Sequence, residues 1–438
     1  MHSDPASQHA RDRRLFLKAG ATVAAATVAM QARSQAQETG SSDAADVVTV
    51  GIMGVNGRGR ALAKGFAADS GARVAYVCDV DSRAADRAAA ELEKGGHAKP
   101  ETVGDFRRIL DDSSIDALVV ATPNHWHAPA TIIGCDAGKH VYVEKPCSHT
   151  AQEGEWAEAA AKKHKRVVQM GNQRRSWPAL QEAVQKIHEG DIGEVLYSRT
   201  WYNNRRPSIG TGKITEPPQW LDWQSWQGPA PHMPYKDNVV HYNWHWHWHW
   251  GNGELGNNGI HALDVARWGL DVAFPTRVTA GGGKYRHDDD QETPDTMMVT
   301  YDFDEGKTIT WEGLSWSTLG PHDSRFGISF HGTKGSLVIR GSGYTQFDQQ
   351  EKVVAENSGA GGDRDHLADF LDAIRTSRAS NSNIVESHRS TLLCHLGNIA
   401  YRTDSVLQTD PSNGHIQDNP AAAELWTRQY EPGWEPQV

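Results

Sequence analysis

The chain has 438 residues, 23% of them charged, and a formal net charge of −11. That is long enough for two domains with a sizeable core, and the acidic balance argues against nucleic acid or an anionic membrane surface as partner. Four cysteines, Cys78, Cys135, Cys147 and Cys394, are too few and too scattered for a disulfide framework, so free thiols are expected.

Residues 1–36 read as a twin-arginine export signal. Arg13-Arg14 precedes Leu15-Phe16-Leu17-Lys18, an apolar run from Ala19 to Met30 follows, and Ser34-Gln35-Ala36 supplies small residues for cleavage. The run is shorter than the roughly 20 residues a spanning helix needs. Cleavage near Ala36, no stable membrane insertion and a periplasmic or secreted mature protein are therefore expected. Export of a folded protein suits an enzyme that captures its cofactor in the cytoplasm. Residues 37–46 are taken as a linker.

A dinucleotide-binding α/β domain is expected over 47–170. Val47–Met53 has strand character and leads into Gly54-Val55-Asn56-Gly57-Arg58-Gly59 and a helical stretch through Ala68. Strand, glycine turn and helix start together present backbone N–H groups to a pyrophosphate. Asn56 stands where the usual motif has glycine, and asparagine tolerates left-handed backbone better than most residues. The next strand, Ala72–Cys78, ends in Asp79, twenty residues after Gly59. An acid there accepts hydrogen bonds from the ribose hydroxyls of NAD and repels the 2′-phosphate of NADP. NAD is the expected cofactor, with NADP kept open because Arg83 lies near.

Two more strands follow, Ala117–Ala121 and Val141–Val143. The first runs into a loop, Thr122-Pro123-Asn124-His125-Trp126-His127, and the second into Glu144-Lys145-Pro146. Ligands of open parallel sheets bind beyond the carboxyl ends of the strands. Thr122, Pro123, Asn124, His127, Glu144 and Lys145 thus join Gly54, Asn56, Gly57, Arg58, Gly59 and Asp79 as candidate cofactor contacts.

These motifs, with Ala137-Gly138-Lys139-His140-Val141 and Gly256–Trp268, resemble the glucose–fructose oxidoreductase / inositol dehydrogenase (Gfo/Idh/MocA) family. The resemblance runs from Val47 almost to the end of the chain. It implies a Rossmann domain followed, over 171–438, by an α/β domain with an open, mainly antiparallel sheet. Such a sheet commonly builds a homo-oligomer face, and the substrate lies between domains. The resemblance further implies that Lys145 contacts substrate and nicotinamide ribose and that His261, in Asn257-Asn258-Gly259-Ile260-His261, is the second catalytic group. Many dehydrogenases of this kind carry Asp where Asn257 stands. Asn257 can orient but cannot take up a proton. The resemblance also makes Asn172, where the last Rossmann strand hands over to the second domain, a candidate cofactor contact.

In the second domain, Pro178–His188 is expected as a helix and Glu194–Trp201 as a strand. Residues 202–237 are rich in Pro, Gly, Asn and Trp, which reads as a lid or binding loop. Ten of the 16 tryptophans fall between Trp177 and Trp268. Indole rings stack on sugar C–H faces as well as filling cores, so the cluster favours a carbohydrate ligand. Trp244-His245-Trp246-His247-Trp248-His249-Trp250 would place histidines on one face if it were a strand. Alternating histidines can bind zinc or copper, but the repeat holds no Asp, Glu or Cys. It is read instead, with no metal, as a wall of the active-site mouth. Trp126, His127, Trp246, His247 and Asn257 are then candidate substrate contacts, as is Asp264, three residues from His261 on a helix. Antiparallel strands are expected at Thr296–Phe303, at Thr308–Trp311 and on either side of Gly332–Gly335. Late helices at Asp365–Thr376 and Glu386–Arg402 are expected to pack back on the first domain.

The expected function is oxidation of a sugar, glycoside or polyol at a tightly bound nicotinamide cofactor. The alternative is a redox-neutral glycosidase or lyase working through a transient keto-sugar. A non-catalytic sugar binder is the third class.

Overall fold

The computed structural model describes residues 47–438. The proposed export signal and linker lie outside the described residues.

The first sheet is built from β1 (Val48–Met53), β2 (Ala72–Cys78), β3 (Glu101–Val103), β4 (Ala117–Val120), β5 (His140–Val143) and β6 (Val168–Met170). Its order is β3-β2-β1-β4-β5-β6, and every pairing is parallel. Strands buried on both faces read as continuous apolar runs, which is why Val48–Met53 and Ala117–Val120 are buried throughout. The crossovers are α1 (Arg58–Ala67), α2 (Ser82–Lys94), α3 (Arg107–Asp111), α4 (Asn124–Asp136) and α5 (Ala151–His164). The expected 122–127 loop is shorter than anticipated. Pro123 is the N-cap of α4, so Asn124–His127 form its first turn.

The second domain opens with α6 (Pro178–His188) and β7 (Val195–Asn203). A long, mostly irregular stretch follows, broken by the short α7 (Trp223–Gln227), a 3₁₀ turn (Asn243–Trp246) and a π-helical turn (Leu255–Gly259), before α8 (Ile260–Leu270). Strands β8 (Arg277–Gly283), β9 (Thr296–Asp302), β10 (Thr308–Leu314), β11 (Phe326–Gly332), β12 (Gly335–Arg340), β13 (Gly343–Asp348) and β14 (Val353–Asn357) then precede α9 (Arg364–Thr376) and α10 (Ile384–Arg402). With β15 (Leu407–Thr409) and β16 (Ile416–Gln417) they make a ten-stranded sheet of order β14-β13-β12-β11-β7-β10-β9-β8-β15-β16. All its pairings are antiparallel except one. β7 and β10 run parallel in its centre, with Trp201 opposite Glu312.

Three apolar clusters hold the unit together. One fills a face of the first sheet, where Phe66 of α1 and Tyr142 of β5 meet Phe370 of α9 in edge-on contacts at 6.3 and 5.7 Å. Through Phe370, α9 thus packs against the first sheet. A second cluster covers the opposite face and continues through α8 and α10 into the second sheet. The third is separate and aromatic, formed by Leu221, Trp223, Trp226, Tyr235, Val239, Trp244 and Trp250 inside the irregular stretch. Trp223 and Trp226 stack at 4.7 Å, with Trp250 edge-on to both. Much of the tryptophan cluster thus gives a long loop its own core. All four cysteines are free and buried. Among the described residues no helix is long and apolar enough to cross a membrane.

Candidate active site

A cavity of about 590 Å³ lies beyond the carboxyl ends of β1, β2, β4 and β5 and is walled on its far side by the second domain. Its floor is the glycine turn. Gly54 has φ +84°, and a Cβ there would stand 2.8 Å from the carbonyl of Ala121. Gly59 is buried under the turn, where a Cβ would meet the Gly54 carbonyl oxygen at 1.8 Å, so only glycine lets α1 start this close to β1. Gly57 faces open space and caps α1 without a side-chain hydrogen bond. The first N–H groups of α1 are thereby left for a ligand, as a bound pyrophosphate requires. Asn56 lines the cavity but does not have positive φ; its Oδ1 accepts from Arg87 at 2.9 Å. Left-handed tolerance is not what asparagine contributes there.

Asp79 closes the turn. Its Oδ2 accepts from the Val55 N–H at 2.8 Å and its Oδ1 from the Asp81 N–H at 2.9 Å. Arg83 is not available for a 2′-phosphate. It chelates Asp81 through Nε and Nη2, both at 3.0 Å, and lies 3.4 Å above the Trp220 ring. Arg58 is similarly occupied, bonding Glu144 at 2.7 Å and Asp363 at 2.6 and 2.8 Å. It steadies Glu144 and offers a ligand its backbone rather than its charge.

Thr122, Pro123 and Asn124 line the cavity, and the buried Thr122 hydroxyl has no partner. His127 places Nδ1 2.6 Å from the Pro146 carbonyl and Nε2 2.8 Å from that of Thr122. Both nitrogens are engaged, so it braces two cofactor-side loops rather than reaching a substrate. Trp126 lines the cavity but donates to the Trp226 carbonyl at 2.9 Å.

Lys145, Asn257 and His261 come together in the cavity. Asn257 sits on a π-helical turn, Leu255–Gly259, immediately before α8, and such turns re-aim side chains. Lys145 Nζ donates to the Asn257 carbonyl at 2.9 Å and to its Oδ1 at 3.0 Å, leaving its third proton for a ligand. Burial lowers the Lys145 pKa, partly opposed by Glu144 and Glu254. His261 is pushed well below the usual imidazole range by burial and then by Lys145, so it is neutral at pH 7. Its Nδ1 is buried without a partner.

Three expected substrate contacts are not in the cavity wall. Asp264 is buried and held by Arg175 at 2.8–3.0 Å and by Ser390 at 2.7 Å. The Trp-His repeat is not a strand; it forms a 3₁₀ turn, Asn243–Trp246, followed by irregular chain. Trp246 is buried beneath the Arg206 guanidinium, 4.7 Å from its ring, and Arg206 is itself paired with Glu254. His247 is buried 3.6 Å from Glu292. Their neighbours Trp244 and His245 take the wall position, stacked at 3.6 Å, with Tyr242 and His241 beside them. Asn172 does not line the cavity either. It is buried just after β6, with both side-chain polar atoms unpartnered. Sequence reasoning also missed Phe106, Arg107, Gln173 and Trp434 of the wall. Only Phe106-Arg107, after a short strand, left a signal. Among the described residues no group of three or more His, Cys, Asp or Glu could hold a metal ion.

Family models account for both halves of this arrangement. One described as oxidoreductase family, NAD-binding Rossmann fold, matches residues 48–172, and one described as oxidoreductase family, C-terminal alpha/beta domain, matches 200–435. The chain belongs to the Gfo/Idh/MocA oxidoreductase family. A glycosyl hydrolase family 109 protein of Saccharopolyspora erythraea is 33% identical to this Gfo/Idh/MocA chain over 165 residues, 36% of each protein. Levoglucosan dehydrogenase of Pseudarthrobacter phenanthrenivorans is 29% identical over 279 residues, 58% of this chain and 62% of that one. The matches therefore span between about a third and three fifths of these curated relatives. Among solved structures, levoglucosan dehydrogenase in complex with NADH and levoglucosan has a TM-score of 0.65 at 20% identity, covering 82% of this chain and 99% of that one. The aldose-aldose oxidoreductase from Caulobacter crescentus, complexed with glycerol, has a TM-score of 0.64 at 21% identity, covering 83% and 99%. At such identities the likeness is one of fold.

Proposed function

We propose that this Gfo/Idh/MocA protein is an NAD-dependent oxidoreductase acting on a CH–OH group of a sugar, glycoside or polyol. One observation carries the reading. Lys145, fixed by Asn257, and a neutral His261 open onto the same cavity as the glycine turn and Asp79. The turn, the uncapped start of α1 and the Asp79 carboxylate fit NAD, and the locked Arg83 disfavours NADP. Bound NAD supplies the hydride acceptor.

The chain's own residues do the rest. Lys145 donates its remaining N–H to the substrate oxygen and stabilises the negative charge that develops there. His261, neutral and facing the cavity, accepts the hydroxyl proton. Tyr242 and the stacked pair Trp244–His245 give the wall flat faces suited to sugar C–H groups. The test is Lys145→Ala. Activity with candidate sugars should fall at least ~100-fold, the low end of what a general acid–base group contributes, while bound NAD is retained. Undiminished turnover would remove Lys145 from the chemistry.

A redox-neutral glycosidase or lyase is the second reading, supported by the family 109 relatives. Glycoside cleavage without added NAD would select it; net reduction of NAD by free sugar would select the first. The Arg13-Arg14 leader supports export to the periplasm, which substitution of both arginines by lysine should abolish. Exposed Met298 on β9 and Trp316 beside the second sheet support a homo-oligomer formed there, checked by sedimentation.

A further inference from the structure

The C-terminal residues 428–434 run back from the second domain to the first and end in the wall of the cavity. Their anchor is buried. Glu153, fully enclosed on α5, accepts from Arg428 Nε at 2.7 Å and from the Tyr430 hydroxyl at 2.9 Å. Arg428 also donates to the His125 carbonyl at 2.7 Å, at the start of α4. Glu431 fastens the next turn, its N–H to the Pro229 carbonyl at 3.1 Å and its Oε2 to the His232 N–H at 3.0 Å. Beyond these ties Trp434 reaches the cavity and packs edge-on against Trp126 at 5.0 Å; Trp126 in turn meets Phe106 at 5.6 Å. Phe106 comes from the loop after β3, on the Asp79 side of the sheet.

A buried ion pair is an expensive way to hold a tail that has only a surface to cover. Here it delivers one large aromatic to the rim of the dinucleotide cavity, beside two aromatics already there. We infer that residues 428–434 form a strap that retains the cofactor, with Trp434 as the residue a dinucleotide must displace to leave. This rests on the reading of the cavity as an NAD site and adds to it a device for slow exchange.

The experiment loads full-length protein with NADH, chases with excess NAD and follows NADH release by its fluorescence. Trp434→Ala, and a chain ending at Gly433, should release NADH at least tenfold faster than the wild type, and Trp434→Phe should restore most of the retention. Release within twofold of wild type in both shortened variants would overturn the strap, as would a lowered melting temperature with unchanged release. If wild-type protein takes up no NADH, the dinucleotide reading itself fails and the strap falls with it. Normal uptake with unaltered release fails the strap alone.

Discussion

At Lys145 the side chain's surroundings decide its chemistry. Burial lowers its pKa, and its side-chain partner is the neutral Asn257 amide, 3.0 Å from Nζ. Asn257→Asp places a negative charge at that distance. An opposite charge so close favours the ammonium and raises a lysine pKa by roughly one to three units. If Lys145 acts as a proton donor to the substrate oxygen, the alkaline limb of the kcat/KM profile should move up by about one unit or more. Profiles of the two proteins between pH 6 and 11 check this, and coincident limbs would mean that another group titrates. His261 bears on the same profile. Its depressed pKa keeps it an acceptor throughout that range, so it adds no limb there.

Among the elements, α5 shows how far local sequence reaches. Thr150 and Glu153 form a reciprocal capping box at its start, and the same Glu153 receives Arg428 from 275 residues away. Arg428→Ala leaves a fully enclosed carboxylate without its cation. The expected cost is about 3–5 kcal/mol, read as a lower urea midpoint at unchanged slope. Elements governed by local signals were legible beforehand. α6 runs from Pro178 to His188 because proline opens it and Gly190 follows its end, and β9 begins at Thr296 as its apolar alternation requires. The glycine turn, Asp79 and Lys145 were legible for the same reason, since their spacing is set within single βα units. Residues whose role depends on distant partners were not. Asp264 has helical spacing to His261, yet Arg175 captures it. The Trp-His alternation has a strand's period, yet the indoles of Trp244 and Trp250 are drawn into a cluster with Trp223 and Trp226, and that packing overrides the period. Trp434 left no trace, because nothing near it in sequence says where the tail lands.

The molecule as a whole carries an unusual load of enclosed imidazole. His125, His149, His366, His388 and His395 are all buried and all pushed below the ordinary histidine range, chiefly by burial. His388 falls to about 4 and His395 to about 3. An unfolded histidine titrates near 6.5, so between that pH and these depressed values the unfolded chain binds more protons than the folded one. Stability is then full above about pH 6.5 and declines as pH falls, by up to ~1.4 kcal/mol per pH unit for each such histidine. These two alone would remove about 4 kcal/mol by pH 5. Thermal denaturation at pH 7.5 and pH 5.0 should differ by several degrees or more, and equal midpoints would show that the histidines open to water before they charge.

The four enclosed thiols give the folded state a chemical silence of its own. Burial drives each of them away from the thiolate form, and Cys135 and Cys147 are pushed up to about 12. Only the thiolate reacts with alkylating or oxidising reagents. The native protein should leave iodoacetamide untouched for hours and consume four equivalents once denatured, so the rate of labelling under native conditions becomes a clock for how often the interior is breached.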